Sequence, residues 1–321
     1  MRIYWKYNIR PGGDGYGFYT ATNNIKKCLE AEGFILSKNA DICMSHVSPH
    51  IFEPEPDMLN ILWPPIESDD IVASFVSKLN SLDAVIASCQ HNADVFKRSG
   101  VTVPIYVLKL GINPAYYPYR ERIVKDKLRI LWLGMPSERK GYDIVIKAFC
   151  EAFTMTDPVE LYMKTTAMGD KTISRIGDNI TIDSRHLATT DVIDLYEWAH
   201  VFVLPSRGEG TGLTALEAMA SGCLVMAPDI QGLKDFITPD KAIVLRHDYV
   251  RAHYGKWMMV PNVDYTHLRD EFKTIITNYD SFKEMRRHAS DWVHENMSWK
   301  KTGQRLKEIL EEVYDESLVQ R

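Results

Sequence analysis

The sequence of 321 residues contains no Cys-x-x-Cys pair, no internal repeat and no low-complexity segment. Its cysteines are odd in number and far apart, which excludes zinc ribbons and thioredoxin-like redox pairs: Cys28, Cys43, Cys89, Cys150 and Cys223. No apolar run approaches the ~20 residues of a membrane-spanning helix, and the first residues lack the apolar core of a signal peptide. We therefore expect a cytoplasmic protein with reduced thiols and without a transmembrane segment.

The chain also lacks a strong excess of charge of either sign. Its 38 Lys and Arg residues against 43 Asp and Glu residues leave a net charge of -5, which argues against a broad basic surface for nucleic acid. The hydrophobic fraction of 45% and the charged fraction of 25% are typical of a folded globular protein. Because a single core stops growing near ~250–300 residues, this length predicts two domains.

Short apolar runs alternate with amphipathic stretches in two successive series, which predicts two parallel sheets covered by helices. Among the predicted elements are strands at Ala84–Ala87, Ile180–Asp183 and Leu224–Ala227 and a helix at Leu213–Ser221. The charged stretch 119–127 has no apolar period and is predicted to be a linker. The pattern is that of an α/β protein with two Rossmann-like domains, whose strand ends could face one cleft.

The segment 205–222 follows an apolar strand and opens a helix, and it carries alternate glycines at its start. Glycine allows the backbone to approach a ligand closely, and the N–H groups at a helix start favour an anion. Glu209 and Glu217 would repel a phosphate, but they can accept hydrogen bonds from sugar or ribose hydroxyls. The pattern describes a nucleotide-sugar site. The alternative is a glycine-rich turn in which Glu217 is the capping-box partner of Thr214.

Glu209 and Glu217, with Glu-Gly-x-Gly-Leu between them and Glu-Ala-Met-Ala-x-Gly after, resemble the glutamate-pair signature of glycosyltransferase family 4. These are retaining enzymes of the GT-B fold. Four further segments resemble the family's glycine loop, its "NGVD" segment, its lysine-glycine motif and its usual strand end, in the same order along the chain: 12–15, 110–113, 140–143 and 203–206. The resemblance covers nearly the whole chain.

The resemblance implies a domain division and a set of roles. The N-terminal, acceptor-side domain would comprise residues 1–123 and the donor-binding domain residues 128–299, with a helix at 300–321 that returns to the N-terminal domain. Glu217 would bind the ribose hydroxyls and Glu209 the hydroxyls of the transferred sugar. The main chain of the loop between them would contact the sugar and the diphosphate. This loop comprises Gly210, Thr211, Gly212 and Leu213.

Positive charge for the diphosphate is implied by the same resemblance. Lys140 would neutralise the diphosphate, but the family's usual arginine position is occupied by Met135. Arg139 is the candidate for the second positive charge, and Arg207 is a weaker one. Positive charge at a helix start is unfavourable because it opposes the helix dipole. The placement of Arg139 and Lys140 there is better explained if an anion binds beside them.

Other candidates rest on their positions in the family pattern. Glu67 follows a strand and is a candidate acceptor-side or catalytic contact, with a surface carboxylate as the alternative. Lys164 would approach the donor, and Arg185 would lie near the nucleobase. Gly13 and Gly15 of the N-terminal glycine loop complete the predicted donor-binding set.

Together these features predict a retaining hexosyltransferase that transfers a sugar from a UDP- or GDP-sugar to a hydroxyl acceptor. We expect no metal and no other cofactor, because lysine, arginine and amide dipoles would stabilise the leaving diphosphate. The acidic pair Asp69-Asp70 is explained as a helix start. The acceptor is open: a glycan, a lipid-linked glycan, a small molecule or, least favoured, a nucleobase, with contact to a membrane surface also open. A nucleotide-sugar epimerase of the same fold and a non-catalytic nucleotide-sugar-binding subunit are the alternatives.

Overall fold

The structure is a computed structural model that describes residues 1–7, 16–165, 173–253 and 257–320. The chain divides into two compact α/β units, so the predicted pair of Rossmann-like domains is confirmed. The first unit comprises Met1–Ile112, Glu209–Thr211 and Met297–Arg321, and the second comprises Asn113–Gly208 and Gly212–Asn296. The first unit therefore ends before the predicted boundary at residue 123, and the chain returns to it at Met297.

The first unit is built on a parallel sheet of six strands. The strands are β1 (Arg2–Trp5), β2 (Ile35–Leu36), β3 (Ile42–Ser45), β4 (Leu59–Leu62), β5 (Ala84–Ala87) and β6 (Ile105–Val107). Their order in the sheet is β2-β1-β3-β4-β5-β6. Every residue of β3, β4 and β5 is buried, as expected for strands with both faces covered.

Four helices belong to this unit: α1 (Tyr16–Ala31), α2 (Ala73–Leu79), α3 (Gln90–Ser99) and, by its place in the chain, α9 (Trp299–Gln320). The apolar stripe of α9 is buried, and the helix packs against α1. A Cβ on Gly303 would lie 3.1 Å from Cβ of Cys28, so this glycine allows the two helices to approach closely. Among the helices described, none is both long enough and apolar enough to cross a bilayer.

The second unit holds a sheet of seven strands and a separate hairpin. The sheet strands are β7 (Leu128–Gly134), β8 (Val159–Thr165), β9 (Ile173–Ile176), β10 (Ile180–Asp183), β11 (Val201–Val203), β12 (Leu224–Ala227) and β13 (Ile243–Val244). Their order is β13-β12-β11-β7-β8-β10-β9, and all pairings are parallel except that of β9 with β10. The hairpin consists of β14 (His247–His253) and β15 (Trp257–Val263).

The helices of the second unit are α4 (Tyr142–Ala152), α5 (Thr189–Trp198), α6 (Leu213–Ser221), α7 (Tyr265–Asn278) and α8 (Lys283–Asn296). Helix α4 packs against α7, and α6 packs against α8 and α5. The core lies between these helices and the sheet and includes Trp132, Phe149, Val203, Met226 and Phe272.

The charged stretch 119–127 was predicted to be a linker, but it is part of the second unit. Arg122 is buried, and its guanidinium donates to the carbonyl oxygens of Tyr196 (2.6 Å), Ala199 (2.5 Å) and Ser221. A guanidinium can be buried when its donors are used, and here they bind the carboxyl ends of α5 and α6. The charged composition of this stretch and its lack of periodic apolar residues therefore led to a wrong prediction of a linker.

The helix start predicted at Asp69-Asp70 was also wrong, because α2 begins at Ala73. Asp69 instead pairs with His91 at the start of α3, with 2.7 Å between Oδ1 and Nε2. The acidic side chain is thus used in a contact between two segments rather than in the first turn of a helix.

Candidate active site

The strand order of the second unit reverses between its neighbours β7 and β11. After β7 the chain continues toward β8 on one side of this point, and after β11 it continues toward β12 on the other side. The loops that follow β7 and β11 therefore begin next to each other. Open α/β sheets bind ligands at the carboxyl ends of strands where the order reverses. The loop after β7 carries Arg139 and Lys140, and the segment after β11 leads into α6 and Glu217.

The two loops are locked together by main-chain contacts. Gly141 has a φ of +68°, and a Cβ there would lie 2.1 Å from the carbonyl oxygen of Pro205. The carbonyl oxygen of Arg139 accepts hydrogen bonds from the Arg207 amide (2.6 Å) and the Ser206 hydroxyl (3.0 Å). The lysine-glycine motif is therefore required for packing, because any side chain at position 141 would separate the loops.

Helix α6 begins directly after the loop that follows β11. Its N-cap is Gly212, with a φ of +80°, and a Cβ there would lie 2.3 Å from Cδ2 of Leu233. A glycine N-cap has no side chain to cap the helix N-terminus, and Leu213 is the first residue of the helix. Because N–H groups at a helix start carry partial positive charge, this end of α6 favours an anion.

Both predicted cations lie at this edge of the sheet. The Arg139 guanidinium donates to the carbonyl oxygen of Gly208, with 2.6 Å between Nη1 and oxygen. Lys140 runs beside Gly134 at the end of β7, where an added Cβ would lie 3.6 Å from Cγ of the lysine. The carbonyl oxygen of Lys140 accepts a hydrogen bond from Nε1 of the buried Trp132 (3.2 Å), which holds the loop after β7 against the core.

Arg207 has a different role from the one suggested for it as a substitute. Its guanidinium forms two 2.9 Å hydrogen bonds with the carboxylate of Asp143, and its Nε donates to Oδ1 of Asn262 (3.0 Å). It also donates to the carbonyl oxygen of Glu138. A bidentate pair of this kind fixes the geometry of a guanidinium, so Arg207 stabilises the loops and Arg139 stays the candidate for the second charge.

Glu217 lies in the second turn of α6 and is partly buried. Its Oε2 accepts a hydrogen bond from the hydroxyl of Tyr196 on α5, at 2.8 Å. Burial raises the pKa of Glu217 to about 7, although hydrogen bonds from Tyr196 and Tyr117 act in the opposite direction. The capping-box alternative with Thr214 is wrong, since the carboxylate is bonded to a tyrosine and α6 has a glycine N-cap.

Glu209, Gly210 and Thr211 group with the first unit. Glu209 is buried, with 3% of its surface exposed. A Cβ on Gly210 would lie 3.0 Å from the carbonyl oxygen of Ile66 and 3.7 Å from Cγ of Glu67. The structure thus brings Glu67 next to the glutamate-pair segment, while the roles of Glu67 and Glu209 stay predictions.

Lys164 lies near the end of β8, Arg185 follows β10, and both form hydrogen bonds with neighbouring residues. The three donors of the buried Lys164 ammonium reach the carbonyl oxygens of Thr165 (2.6 Å), Asp183 (3.1 Å) and Arg185 (2.6 Å). The half-exposed guanidinium of Arg185 forms two 3.0 Å hydrogen bonds with the Asp183 carboxylate. This geometry favours a structural role for Lys164 over a contact with the donor.

Two of the predicted donor-binding residues, Gly13 and Gly15, lie outside the described residues. Tyr196 and Tyr117, in contrast, were not predicted. Tyr196 lies in an ordinary amphipathic helix, and nothing in its spacing marks it as a neighbour of Glu217. Within the described part of the chain, no group of three or more His, Cys, Asp and Glu side chains could hold a metal ion.

Residues 127–256 match the family model of the glycosyl transferases group 1. The matched residues, called the group 1 domain below, lie in the second unit. Curated proteins with similar sequences include mannosylfructose-phosphate synthase of Agrobacterium fabrum, 28% identical over 44% of this chain and 34% of that protein. The serotype-specific mannosyltransferase WbdA of Escherichia coli is 31% identical over 39% of this chain and 17% of its own length. The chain therefore spans about a third or less of these relatives.

Solved structures match the group 1 domain together with the first unit. HepE from Anabaena, solved in complex with UDP and glucose, has a TM-score of 0.69 at 12% identity. The match covers 97% of this chain and 100% of HepE. At this identity the likeness concerns the fold, and it confirms the predicted GT-B architecture of two Rossmann-like units.

Proposed function

We propose that this protein is a GT-B glycosyltransferase that transfers a hexose from a nucleotide sugar to a hydroxyl acceptor with retention of anomeric configuration. The observation that carries the proposal is the pair of interlocked loops at the strand-order reversal of the group 1 domain. These loops hold Lys140 and Arg139 beside the segment that opens α6, whose second turn carries Glu217. Cations, an uncapped helix start and a hydroxyl-binding carboxylate are the groups that a nucleotide sugar requires.

Each part of the donor has a chemically suited partner. Lys140, Arg139 and the start of α6 would bind the diphosphate, because all three present positive charge or N–H donors. Glu217 would accept hydrogen bonds from the ribose hydroxyls and Glu209 from the hydroxyls of the transferred sugar. The main chain from Gly210 to Leu213 would contact the sugar and the diphosphate.

The names of the relatives suggest which donors to examine first. Two of them are named for mannose transfer or a mannosyl product, and HepE was solved with UDP and glucose. A hexosyl donor is therefore favoured, carried on GDP or UDP. GDP-mannose and UDP-glucose are the two probes that follow from these names.

The proposed reaction is a front-side displacement at the anomeric carbon. The bond from this carbon to the diphosphate oxygen breaks, and a bond to the acceptor oxygen forms on the same face. The acceptor proton passes to the leaving diphosphate, so no strong enzymic base is required. Lys140 and Arg139 would stabilise the negative charge on the diphosphate, and we propose that neither a metal nor another cofactor takes part. Glu67 is the candidate acceptor contact in the first unit.

A binding and transfer assay tests the proposal. GDP-mannose or UDP-glucose should raise the melting temperature, because a ligand that binds only the folded state stabilises it by mass action. With an acceptor, nucleoside diphosphate should be released, and the linkage in the product should keep the anomeric configuration of the donor. Activity should persist in the presence of a chelator.

Three other outcomes would contradict parts of this proposal. Free epimerised donor without an acceptor would indicate an epimerase. Donor binding without turnover across an acceptor screen would indicate a binding subunit. Activity that a chelator abolishes and added metal restores would exclude the metal-independent mechanism.

A further inference from the structure

One oxygen of the Glu217 carboxylate is already bonded within the protein. Its Oε2 lies 2.8 Å from the hydroxyl of Tyr196, a residue on α5 with no exposed surface. The ring of Tyr117 packs edge-on against that of Tyr196, with 5.7 Å between centroids, and the Tyr117 hydroxyl also bonds to Glu217. Two buried tyrosines thus donate hydrogen bonds to the carboxylate of Glu217.

The carbonyl oxygen of Tyr196 is held by contacts of its own. Arg122 donates to the carbonyl oxygens of Tyr196 on α5 and of Ser221 at the end of α6. The thiol of Cys223 also lies 3.4 Å from the carbonyl oxygen of Tyr196. Helix α5 and helix α6 are therefore tied at their carboxyl ends, and the distance from Tyr196 to Glu217 is fixed by both side chain and main chain.

We propose that Tyr196 is a positioning residue for Glu217: its hydroxyl holds Oε2, orients the carboxylate toward the ribose hydroxyls of the donor, and favours the charged form of the carboxylate. This inference rests on the proposed function, in which Glu217 binds the ribose. A neutral carboxylic acid is a poorer acceptor for two hydroxyls than a carboxylate. Tyr196 would therefore control how much of the protein is competent to bind the donor near neutral pH.

The effect of the Tyr196 hydroxyl has a definite sign. Burial raises the pKa of Glu217 to about 7, and the bond from Tyr196 lowers it. Removing that hydroxyl should raise the pKa further, by a roughly 10- to 100-fold change in the ionisation equilibrium. Donor affinity at pH 7 should then fall by about 5- to 50-fold, and the loss should shrink to a few-fold at pH 8.5 as the carboxylate ionises.

Other titratable groups near this pair must be separated from Glu217. Burial raises the pKa of the Cys223 thiol, so the thiol stays neutral in this range. Arg122 and the buried Arg286 on α8 are the guanidinium groups near this pair. His294 on α8 lies 2.9 Å from the carbonyl oxygen of Tyr117 through Nε2, so it is the histidine that a control variant must test.

The test is the pH dependence of donor binding in Tyr196→Phe. The dissociation constants of GDP-mannose and UDP-glucose are measured from pH 5.5 to 8.5, a range in which the phosphates of both probes stay ionised. The controls are His294→Gln and Tyr279→Phe. Tyr279 is also buried, and its hydroxyl donates to the carbonyl oxygen of His200 (3.0 Å), away from Glu217.

We expect Tyr196→Phe to move the midpoint of the binding profile to higher pH, while both controls keep the wild-type midpoint. A loss of affinity that is the same at every pH would mean a merely structural role and would overturn the proposal. An unchanged profile would overturn it as well. A shift in His294→Gln equal to that in Tyr196→Phe would assign the titration to the histidine instead.

A readout without donor keeps this inference distinguishable from the proposed function. The free energy of unfolding of Tyr196→Phe should keep falling with pH above 7, where the wild-type value levels off, and Glu217→Gln should abolish the difference between them. If the wild type binds neither probe, the proposed function fails, and this measurement still decides whether Tyr196 controls the ionisation of Glu217.

Discussion

Two clusters in the second unit contain the same kinds of side chain and use them differently. Tyr162 and Lys164 in β8, Asp183 at the end of β10 and the nearby Arg185 form hydrogen bonds with one another and with the main chain. After β7 and on α6, the corresponding groups are Lys140 and Glu217, with Tyr196 as the hydroxyl donor. The difference lies in the donors to the two carboxylates: Asp183 is bonded to the guanidinium of Arg185, whereas Glu217 is bonded to tyrosine hydroxyls.

The two carboxylates make the contrast quantitative. Burial alone would raise the pKa of Asp183, but hydrogen bonds from Arg185 and Tyr162 outweigh it and lower the pKa to about 2. Glu217 receives hydroxyl donors rather than a guanidinium, and its pKa rises to about 7. A buried carboxylate left without a cation is costly for folding. Such a cost is typical of groups that serve binding rather than stability.

The largest expected effect concerns the two lysines. Lys140→Ala should lower turnover by about 100-fold or more, because it removes a charge that stabilises the leaving diphosphate. Acceptor affinity should change little. The comparison is with Lys147→Ala on α4, whose ammonium lies over the ring of Tyr265 at 3.4 Å, and which should retain wild-type turnover. Equal losses in the two variants would remove Lys140 from the reaction.

Lys164→Met should act on folding first, since it removes three hydrogen bonds to buried carbonyl oxygens. Its melting temperature should fall, whereas that of Lys147→Ala on α4 should stay near the wild-type value. The two are measured side by side by thermal unfolding without ligand. If Lys164→Met were as stable as the wild type, the distinction between the two clusters would be lost.

The next effect concerns donor affinity. Glu217→Ala should weaken binding of the nucleotide sugar by roughly 10- to 150-fold, the equivalent of losing charge-assisted hydrogen bonds of ~1.5–3 kcal/mol. Calorimetric titration at pH 8 measures the change with the wild-type carboxylate ionised. Glu197→Ala on α5, which removes a surface carboxylate paired with Arg120, is the matched control. Unchanged affinity in Glu217→Ala would exclude this residue from the donor site.

Stability should change in opposite directions when each carboxylate is replaced by its amide. The folded-state pKa of Glu217 is raised from 4.5 to about 7, so the folded protein binds the extra proton and loses stability as the pH rises through this window. Glu217→Gln removes that loss and should be more stable than the wild type by ~1–3 kcal/mol at pH 8. Near pH 4.5 the difference should disappear.

The pKa of Asp183 is lowered from 3.8 to about 2, so its contribution is present above pH 4 and is lost as the pH falls toward 2. Asp183→Asn should therefore be less stable than the wild type at pH 8, by ~1–3 kcal/mol, the cost of breaking its buried hydrogen bonds. Urea unfolding of both variants at pH 8 and pH 4.5 gives the signs. Changes of the same sign at pH 8 would refute the contrast between the clusters.

Features that depend on local pattern were predictable from the sequence. The segments Ala84–Ala87, Ile180–Asp183 and Leu224–Ala227 form strands at the predicted residues, and the helix Leu213–Ser221 also has the predicted bounds. Burial on both faces of a parallel sheet leaves a continuous apolar run, which is visible without any partner. The lysine-glycine motif and the glycine before α6 were identified because their backbone geometry tolerates few other residues.

Features that depend on partners distant in sequence were not predictable. Arg122 was assigned to a linker, since nothing local indicates that its guanidinium bonds to carbonyl oxygens about 75 to 100 residues away. The engagement of Lys164 and the tyrosines around Glu217 were missed for the same reason. The hairpin β14–β15 was also missed, because its first strand is exposed along most of its length and carries no buried period.

The smallest effect should come from removing the tyrosine hydroxyl on the Asp183 side. Tyr162 donates to Oδ2 of Asp183 at 2.6 Å, but Arg185 lowers the pKa of this carboxylate more than Tyr162 does. Tyr162→Phe should therefore cost only ~1 kcal/mol of unfolding free energy and should not move the pH midpoint of donor binding. Urea unfolding and the binding profile measure the two quantities. Only a carboxylate without a guanidinium partner should depend on a hydroxyl for its charge. A midpoint shift in Tyr162→Phe as large as that in Tyr196→Phe would contradict this and would show that the titrating group lies at Asp183.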